Sequence, residues 1–263
     1  MARQKIESAP SEKARPRESH EHDSIDDLAR RIRPELIEID KQFSWHTMTP
    51  IAEEDQRQYL SDPIESLPPS VRNLLPKVAI VLAPYLEKGS GRAATMVTEV
   101  KPPEPRLILS ARVEHEDLAT LFFTVRDEQI ADYHYFFYAE IASIVSHHWP
   151  DKVSEAWHRM LREELTGEMH GEVDERSWRL KQALLRRPTN ARRDGKPFRD
   201  YARQSFEDTM TLYLHGICCD IDVDTGPRQL PSRSLRKRLV LLKDLFPPPA
   251  GRGVFPEDLK NSK

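Results

Sequence analysis

Tyr133-His134-Tyr135-Phe136-Phe137-Tyr138-Ala139-Glu140-Ile141-Ala142-Ser143-Ile144-Val145-Ser146-His147-His148-Trp149 is the stretch that decides the fold. Together with the preceding Ile130, its residues Tyr133, Phe137, Ile141, Ile144, Val145 and His148 recur at three- and four-residue spacing, which gathers them on one face of an α-helix. The chain changes character here. Short extended runs lie upstream of Asp127, and helical periodicity continues downstream. That order predicts an α+β protein, a small mixed or antiparallel sheet followed by four to five helices.

Upstream, Val78 to Leu82 is a continuous apolar run between prolines and reads as a buried strand. Ala94 to Val100, Arg106 to Val113 and Leu118 to Val125 complete a set of four strands joined by turn-rich links. Downstream, helices are expected from Ser154 (as N-cap) to Glu168, from Asp174 to Leu185, from Phe198 to Leu214 with an end near Gly216, and from Leu235 to Leu245. Pro247-Pro248-Pro249 stops the last one. Near the N-terminus, Ser24 caps a helix carrying Asp26 and Asp27 in its first turn, and Leu36, Ile37 and Ile39 resume it after Pro34. The expected organisation is a disordered tail over residues 1–24, a helical extension over 25–62, the α+β domain over 63–247 and a mobile tail over 248–263.

Charged residues make up 32% of the 263 residues, yet the formal net charge is only -3. That balance argues against nucleic acid as the main partner. The basic clusters Arg186-Arg187, Arg192-Arg193 and Arg233 to Arg238 read as solvated faces. The two cysteines, Cys218 and Cys219, are neighbours, and one peptide unit does not easily give disulfide geometry. With no signal peptide and no long apolar run, the expectation is a soluble, cytoplasmic chain without a membrane partner.

The frame Ala139-Glu140-Ile141-Ala142-Ser143 resembles the active-site helix of zincin metallopeptidases, in which His-Glu-x-x-His supplies two metal ligands and a general-base Glu. A later stretch, Phe198-Arg199-Asp200-Tyr201-Ala202, is followed by Glu207-Asp208-Thr209-Met210-Thr211. It is similar to a zincin subclass with a Phe-x-x-Tyr-Ala approach to Glu-Asp-Phe-Ala-Glu. Glu207 and Asp208 match the first two positions of that acidic motif, and Thr211 replaces the second Glu. The similarity covers Leu74 to Phe246. It implies a zincin-like fold in which Glu140 is a vestigial general base. Ala139, Ser143, and Glu207 or Asp208 would occupy the former ligand positions.

The ligand chemistry argues for decay. Ala139 offers no donor atom, and a neutral Ser143 hydroxyl is a poor zinc ligand. Glu140 and His147 share a face but stand two turns apart, about 10.5 Å along the axis, and the side chains of His147 and His148 point roughly 100° apart. No bound zinc or other cofactor is therefore expected. His134, on the apolar stripe, reads as a hydrogen-bonded core residue. Glu155-Ala156-Trp157-His158 has the Glu-x-x-His spacing of carboxylate-bridged di-iron bundles but lacks the second motif. Asp220 to Gly226 has its glycine one place late for a calcium loop, and Pro231 stands where that loop needs Glu. Nothing pairs Cys218 or Cys219 with a particular histidine, and no nucleophile elbow or phosphate loop occurs.

Three functional readings remain. The first is a catalytically inactive zincin-like module whose old cleft, between the sheet edge and the Glu140 helix, binds a peptide or protein partner by strand addition. The second is an active hydrolase with non-standard ligands drawn from Glu140, His134, His147 and Glu207, with zinc as its cofactor. The third is a helical structural or interaction protein.

Overall fold

The run Val78–Leu82 forms the centre of a five-stranded mixed sheet in a computed structural model of the chain, which describes residues 24–89, 95–186, 194–219 and 230–260. The expected disordered tail, apart from Ser24, and the Asp220 to Gly226 loop lie outside the described residues. The sheet strands are β1 (Ile37–Glu38), β2 (Phe43–Thr47), β3 (Lys77–Ala83), β7 (Ser110–His115) and β8 (Leu118–Thr124), in the order β1-β2-β3-β8-β7. β2, β3 and β8 run parallel, while β1 and β7 are antiparallel edge strands. A smaller sheet has the order β5-β4-β6, from β4 (Tyr85–Lys88), β5 (Thr95–Thr98) and β6 (Leu107–Ile108). The α+β class with a mixed sheet ahead of helices is as expected.

Because side chains alternate along a strand, β3 and β8 serve two cores. Val78, Ile80, Leu82, Leu121 and Phe123 face the large helical layer. Val81, Ala83 and Phe122 face the helix α1 (Ile25–Ile32) and the small sheet. Both faces are covered, so the two central strands are almost continuously apolar. The helical layer is built on α5 (Ile130–His148), α6 (Asp151–Thr166), α7 (Glu175–Leu185), α8 (Lys196–Cys219) and α9 (Ser232–Leu245). The start of α5 meets the end of α8, Tyr135 against His215, and the end of α5 meets the middle of α8, Ser146 against Glu207. The two helices are therefore antiparallel.

Several local expectations are corrected. The segment 25–62 is not a continuous helical extension. After α1 and a 3-10 turn, Ile37–Glu38 and Phe43–Thr47 are strands, and the register Trp45 opposite Ile80 places the second inside the sheet. Phe-Ser-Trp-His-Thr has the aromatic and β-branched alternation of a strand, but its partner lies more than thirty residues away. Helical structure returns in α2 (Glu53–Gln56), a π turn over Arg57–Ser61, α3 (Asp62–Glu65) and α4 (Pro69–Arg72).

Helix α6 begins at Asp151, not at Ser154, whose hydroxyl bonds back to the Asp151 carbonyl from inside the first turn. Gly216 does not end α8: it is buried within the helix, which continues to Cys219. The segment after Pro249 is also docked. Val254 and Phe255 are buried ahead of α10 (Pro256–Lys260), with the Arg236 guanidinium 4.3 Å from the Phe255 ring centre. Two apolar residues suffice to seat that segment because α9 offers both a groove and a cation for the ring.

Candidate functional site

The alternation that buries Val113 on the α1 side of β7 turns Ser110 and Arg112 toward α5. The Ser110 hydroxyl donates to Glu140 Oε1 at 2.8 Å. Arg112 lies 3.5 Å from Glu140 Oε2, donates to the Glu140 carbonyl at 3.3 Å, and reaches the Ser143 hydroxyl at 3.3 Å. Its Nε pairs with Glu114 at 2.9 Å. The Arg112 and Glu140 side chains are only 18% and 17% exposed, so both are screened from solvent without being fully buried. Burial pushes the Glu140 carboxyl above its ordinary range, with Ser110 and Arg112 opposing the shift and Glu207 and Glu114 reinforcing it.

The sequence left Glu207 and Asp208 unranked. The structure separates them. Glu207 faces α5, where its Oε1 accepts from the Ser146 hydroxyl at 2.6 Å. Asp208 turns to α7 and accepts from Gln204 Nε2 at 2.7 Å. Burial pushes Asp208 up to about 6, with the charges of Asp174 and Glu207 reinforcing the shift against hydrogen bonds from Ser177 and Gln204. Ala139 and Ser143 are half-exposed on the cleft side of α5. Arg112, which the sequence did not mark, joins them. It lies on a strand face with Ser110 and Glu114, a polar alternation that reads as solvent-facing in the sequence.

Of the residues of the alternative hydrolase, Glu140, Glu207 and His147 share one end of α5, where the Ser146 hydroxyl lies 3.4 Å from His147 Nδ1 and 2.6 Å from Glu207, and His134 stands apart. His147 is exposed, with Nδ1 2.7 Å from the Ser143 carbonyl, so that nitrogen carries the proton of the contact. His134 lies at the other end of α5, buried, with Nε2 2.7 Å from the Gln58 carbonyl and Nδ1 3.2 Å from Cys219 Sγ. The expectation that no histidine pairs with a cysteine is thus corrected. The tertiary packing of α5 against α8 brings His134, Cys218 and Cys219 together, with donor atoms within 4.8 Å of one another. The interaction between the neighbouring sulfurs pulls the Cys218 thiol below its ordinary range and, together with burial, pushes the Cys219 thiol above it. The Tyr138 hydroxyl adds to the lowering at Cys218.

A second polar cluster went unseen in the sequence. Arg238, read as part of a solvated basic run, is fully buried. Its guanidinium reaches Glu164 at 2.6 Å and Glu172 at 2.7 Å, and it donates to Ser205 at 2.9 Å. Lys181 donates to the Gly171 carbonyl at 2.8 Å and to Glu172 at 3.3 Å, and the Tyr201 hydroxyl donates to Glu172 at 2.5 Å. Two acids and two bases balance inside the core. Burial would raise the Glu172 carboxyl, but Arg238, Lys181 and Tyr201 outweigh it and hold the group down at about 2. Tyr201, quoted above for the Phe-x-x-Tyr-Ala similarity, therefore serves this cluster and not the cleft.

Of the other motifs, Glu155 is exposed and His158 stacks against Trp149 and Phe198, so the pair does not face a second Glu-x-x-His. Among the described residues, no helix is long and apolar enough to cross a membrane. In comparisons with known proteins, no family model matches the chain, and neither a curated protein nor a solved structure matches it.

Proposed function

We propose that the chain is a non-catalytic zincin-like module whose cleft, between edge strand β7 and helix α5, takes an extended peptide by strand addition. One observation carries this reading. In a zincin-like frame Ala139 and Ser143 stand at the two ligand positions, and the guanidinium of Arg112 lies against both Glu140 and Ser143. A cation supplied by the chain itself opposes a metal ion there, both by repulsion and by occupying the hydroxyl. Glu140 then has a hydrogen-bonded structural role, with no metal-bound water to activate.

The strand-addition part rests on topology. β7 ends the larger sheet and is hydrogen-bonded to β8 alone in it, so its outer backbone edge can template another strand. Glu114 and Glu140 pair with Arg112, and Glu207 lies near enough to Glu140 to add its charge, which favours a peptide carrying a basic side chain over an acidic one.

The test pairs a peptide array with mass spectrometry of the same peptides after incubation with protein and added Zn²⁺. Extended basic peptides are expected to bind intact. N-methylation of alternate backbone amides should abolish binding, because it removes the donors a new strand needs, and Glu114→Lys should weaken it. Cleavage that disappears in Glu140→Gln would overturn the non-catalytic reading. Binding indifferent to N-methylation would overturn strand addition.

A further inference from the structure

We propose that His134, Cys218 and Cys219 form a binding site for one Zn²⁺ ion, at the opposite end of α5 from the Glu140 cleft and independent of what that cleft does.

The imidazole is already set for ligation. A carbonyl only accepts, so the 2.7 Å contact between His134 Nε2 and the Gln58 carbonyl fixes the proton on Nε2 of the neutral ring. The Nδ1 lone pair is left directed at Cys219 Sγ, 3.2 Å away. Metal-ligating histidines ordinarily have this arrangement, with the second nitrogen held by a carbonyl or carboxylate that sets tautomer and ring orientation. The Gln58 carbonyl belongs to the π turn Arg57–Ser61, and neighbouring carbonyls fix the same wall: Tyr133 donates to Tyr59 and Tyr138 to Pro63. The imidazole is therefore braced by three side-chain contacts from one helix to one segment.

The sulfurs come from the last turn of α8. Adjacent cysteines are poorly placed to bridge each other, so the pair is not a ready disulfide. Both sulfurs nevertheless lie within 4.8 Å of each other and of the imidazole nitrogen. Tetrahedral zinc bonds of about 2.0–2.3 Å bring donor atoms to roughly 3.3–3.8 Å apart, so only a small contraction is needed. Two sulfurs and one imidazole nitrogen are a donor set that zinc takes with a fourth position open. Both cysteines are half-exposed, which leaves a path for the ion.

An independent observation points to the same place. His215 precedes Cys218 and Cys219 by three and four residues, so it shares their face of α8. It is 7% exposed, and its buried Nε2 has no hydrogen-bond partner. An orphaned buried donor or acceptor costs free energy. This unsatisfied nitrogen belongs to the residue one helical turn before both sulfurs. Loading the site leaves both sulfurs as thiolates, and any proton a sulfur still carries goes to solvent.

The test is metal titration of the full chain, freed of metal, with Zn²⁺ followed by chelator competition and with Co²⁺ followed by its sulfur-to-cobalt charge-transfer absorption. One equivalent should bind with micromolar or tighter affinity, and cobalt should give the thiolate band. Cys218→Ser and Cys219→Ser, nearly isosteric and checked for folding by circular dichroism, should each weaken zinc at least ~10-fold and diminish the band. His134→Gln should weaken it by roughly 10–100-fold. A thiolate band absent from the wild type would overturn the site. So would zinc binding that survives both serine variants but falls with His20→Ala and His22→Ala, since the ion would then sit on the N-terminal residues.

Discussion

Two of the guanidinium–carboxylate clusters among the described residues, around Arg238 and around Arg112, differ in burial, charge balance and saturation. Around Arg238, two carboxylates meet two cations in the core, with all four side chains essentially inaccessible and contacts of 2.6–3.3 Å. Around Arg112, the carboxylates of Glu114 and Glu140 meet one guanidinium at the edge of a sheet, and its contacts to Glu140 and Ser143 are 3.3–3.5 Å. The first cluster is charge-balanced and multiply hydrogen-bonded, so it fixes how α6, α7, α8 and α9 meet. The second is unbalanced and partly open. Its surplus negative charge is only partly neutralised within the protein. Charge content alone does not separate a structural network from a binding surface; saturation and burial do.

Breaking the closed cluster should have the largest effect. Arg238→Met leaves Glu164 and Glu172 buried without their main cation, and a loss of roughly 3–5 kcal/mol in urea unfolding is expected. A loss below about 1 kcal/mol would mean that water enters the cluster and that it resembles the open one.

Glu172→Gln should cost less, on the order of 2–4 kcal/mol at pH 7, because Glu164 still faces Arg238. Its pH dependence sharpens the comparison. The folded-state value of about 2 lies below the ordinary 4.5, so the carboxylate's contribution is present above pH 4.5 and is lost as pH falls toward 2. The stability gap between wild type and Glu172→Gln should therefore narrow between those limits. A gap unchanged at pH 3 would show that Glu172 is not ionised in the fold.

Asp208 tests what a buried carboxylate does among acidic neighbours. Its value near 6 lies above the ordinary 3.8, so the stability linked to its proton is full below pH 3.8 and lost as pH rises through 6. Asp208→Asn should stabilise the protein by about 1–3 kcal/mol at pH 7, and by much less at pH 4, measured by thermal unfolding. Equal gains at both pH values would point to packing instead of ionisation.

The smallest effect is expected in the open cluster. Glu140→Gln keeps an acceptor for Ser110 and removes a carboxylate that burial already disfavours as an ion. Its stability should stay within about 1 kcal/mol of wild type at pH 7. A loss comparable to that of Arg238→Met would place Glu140 among the structural charges.

Much of the frame could be read from the chain. The period of Tyr133 to Val145 marked α5, and the apolar run Val78–Leu82 marked the buried central strand, because both signals arise from one-dimensional spacing against a single packed face. Phe43–Thr47 escaped because a parallel strand is defined by a partner far away in sequence. Val254 and Phe255 escaped because a short apolar pair has no periodicity. Arg238 was hidden in a basic run in which Arg233 and Lys237 are exposed and Arg236 is half-buried, a pattern that says nothing of which charge turns inward.

The sequence by itself determined the α+β class, the position of α5 and the absence of histidines around Glu140. These depend on residue type and spacing alone. Only the tertiary structure decided that Arg112 stands against Glu140 and Ser143, that Glu207 and not Asp208 faces α5, and that His134 meets Cys219 across 85 positions of chain. Those contacts are made between elements, and their geometry follows from how helices and strands pack. No local pattern in the chain encodes it.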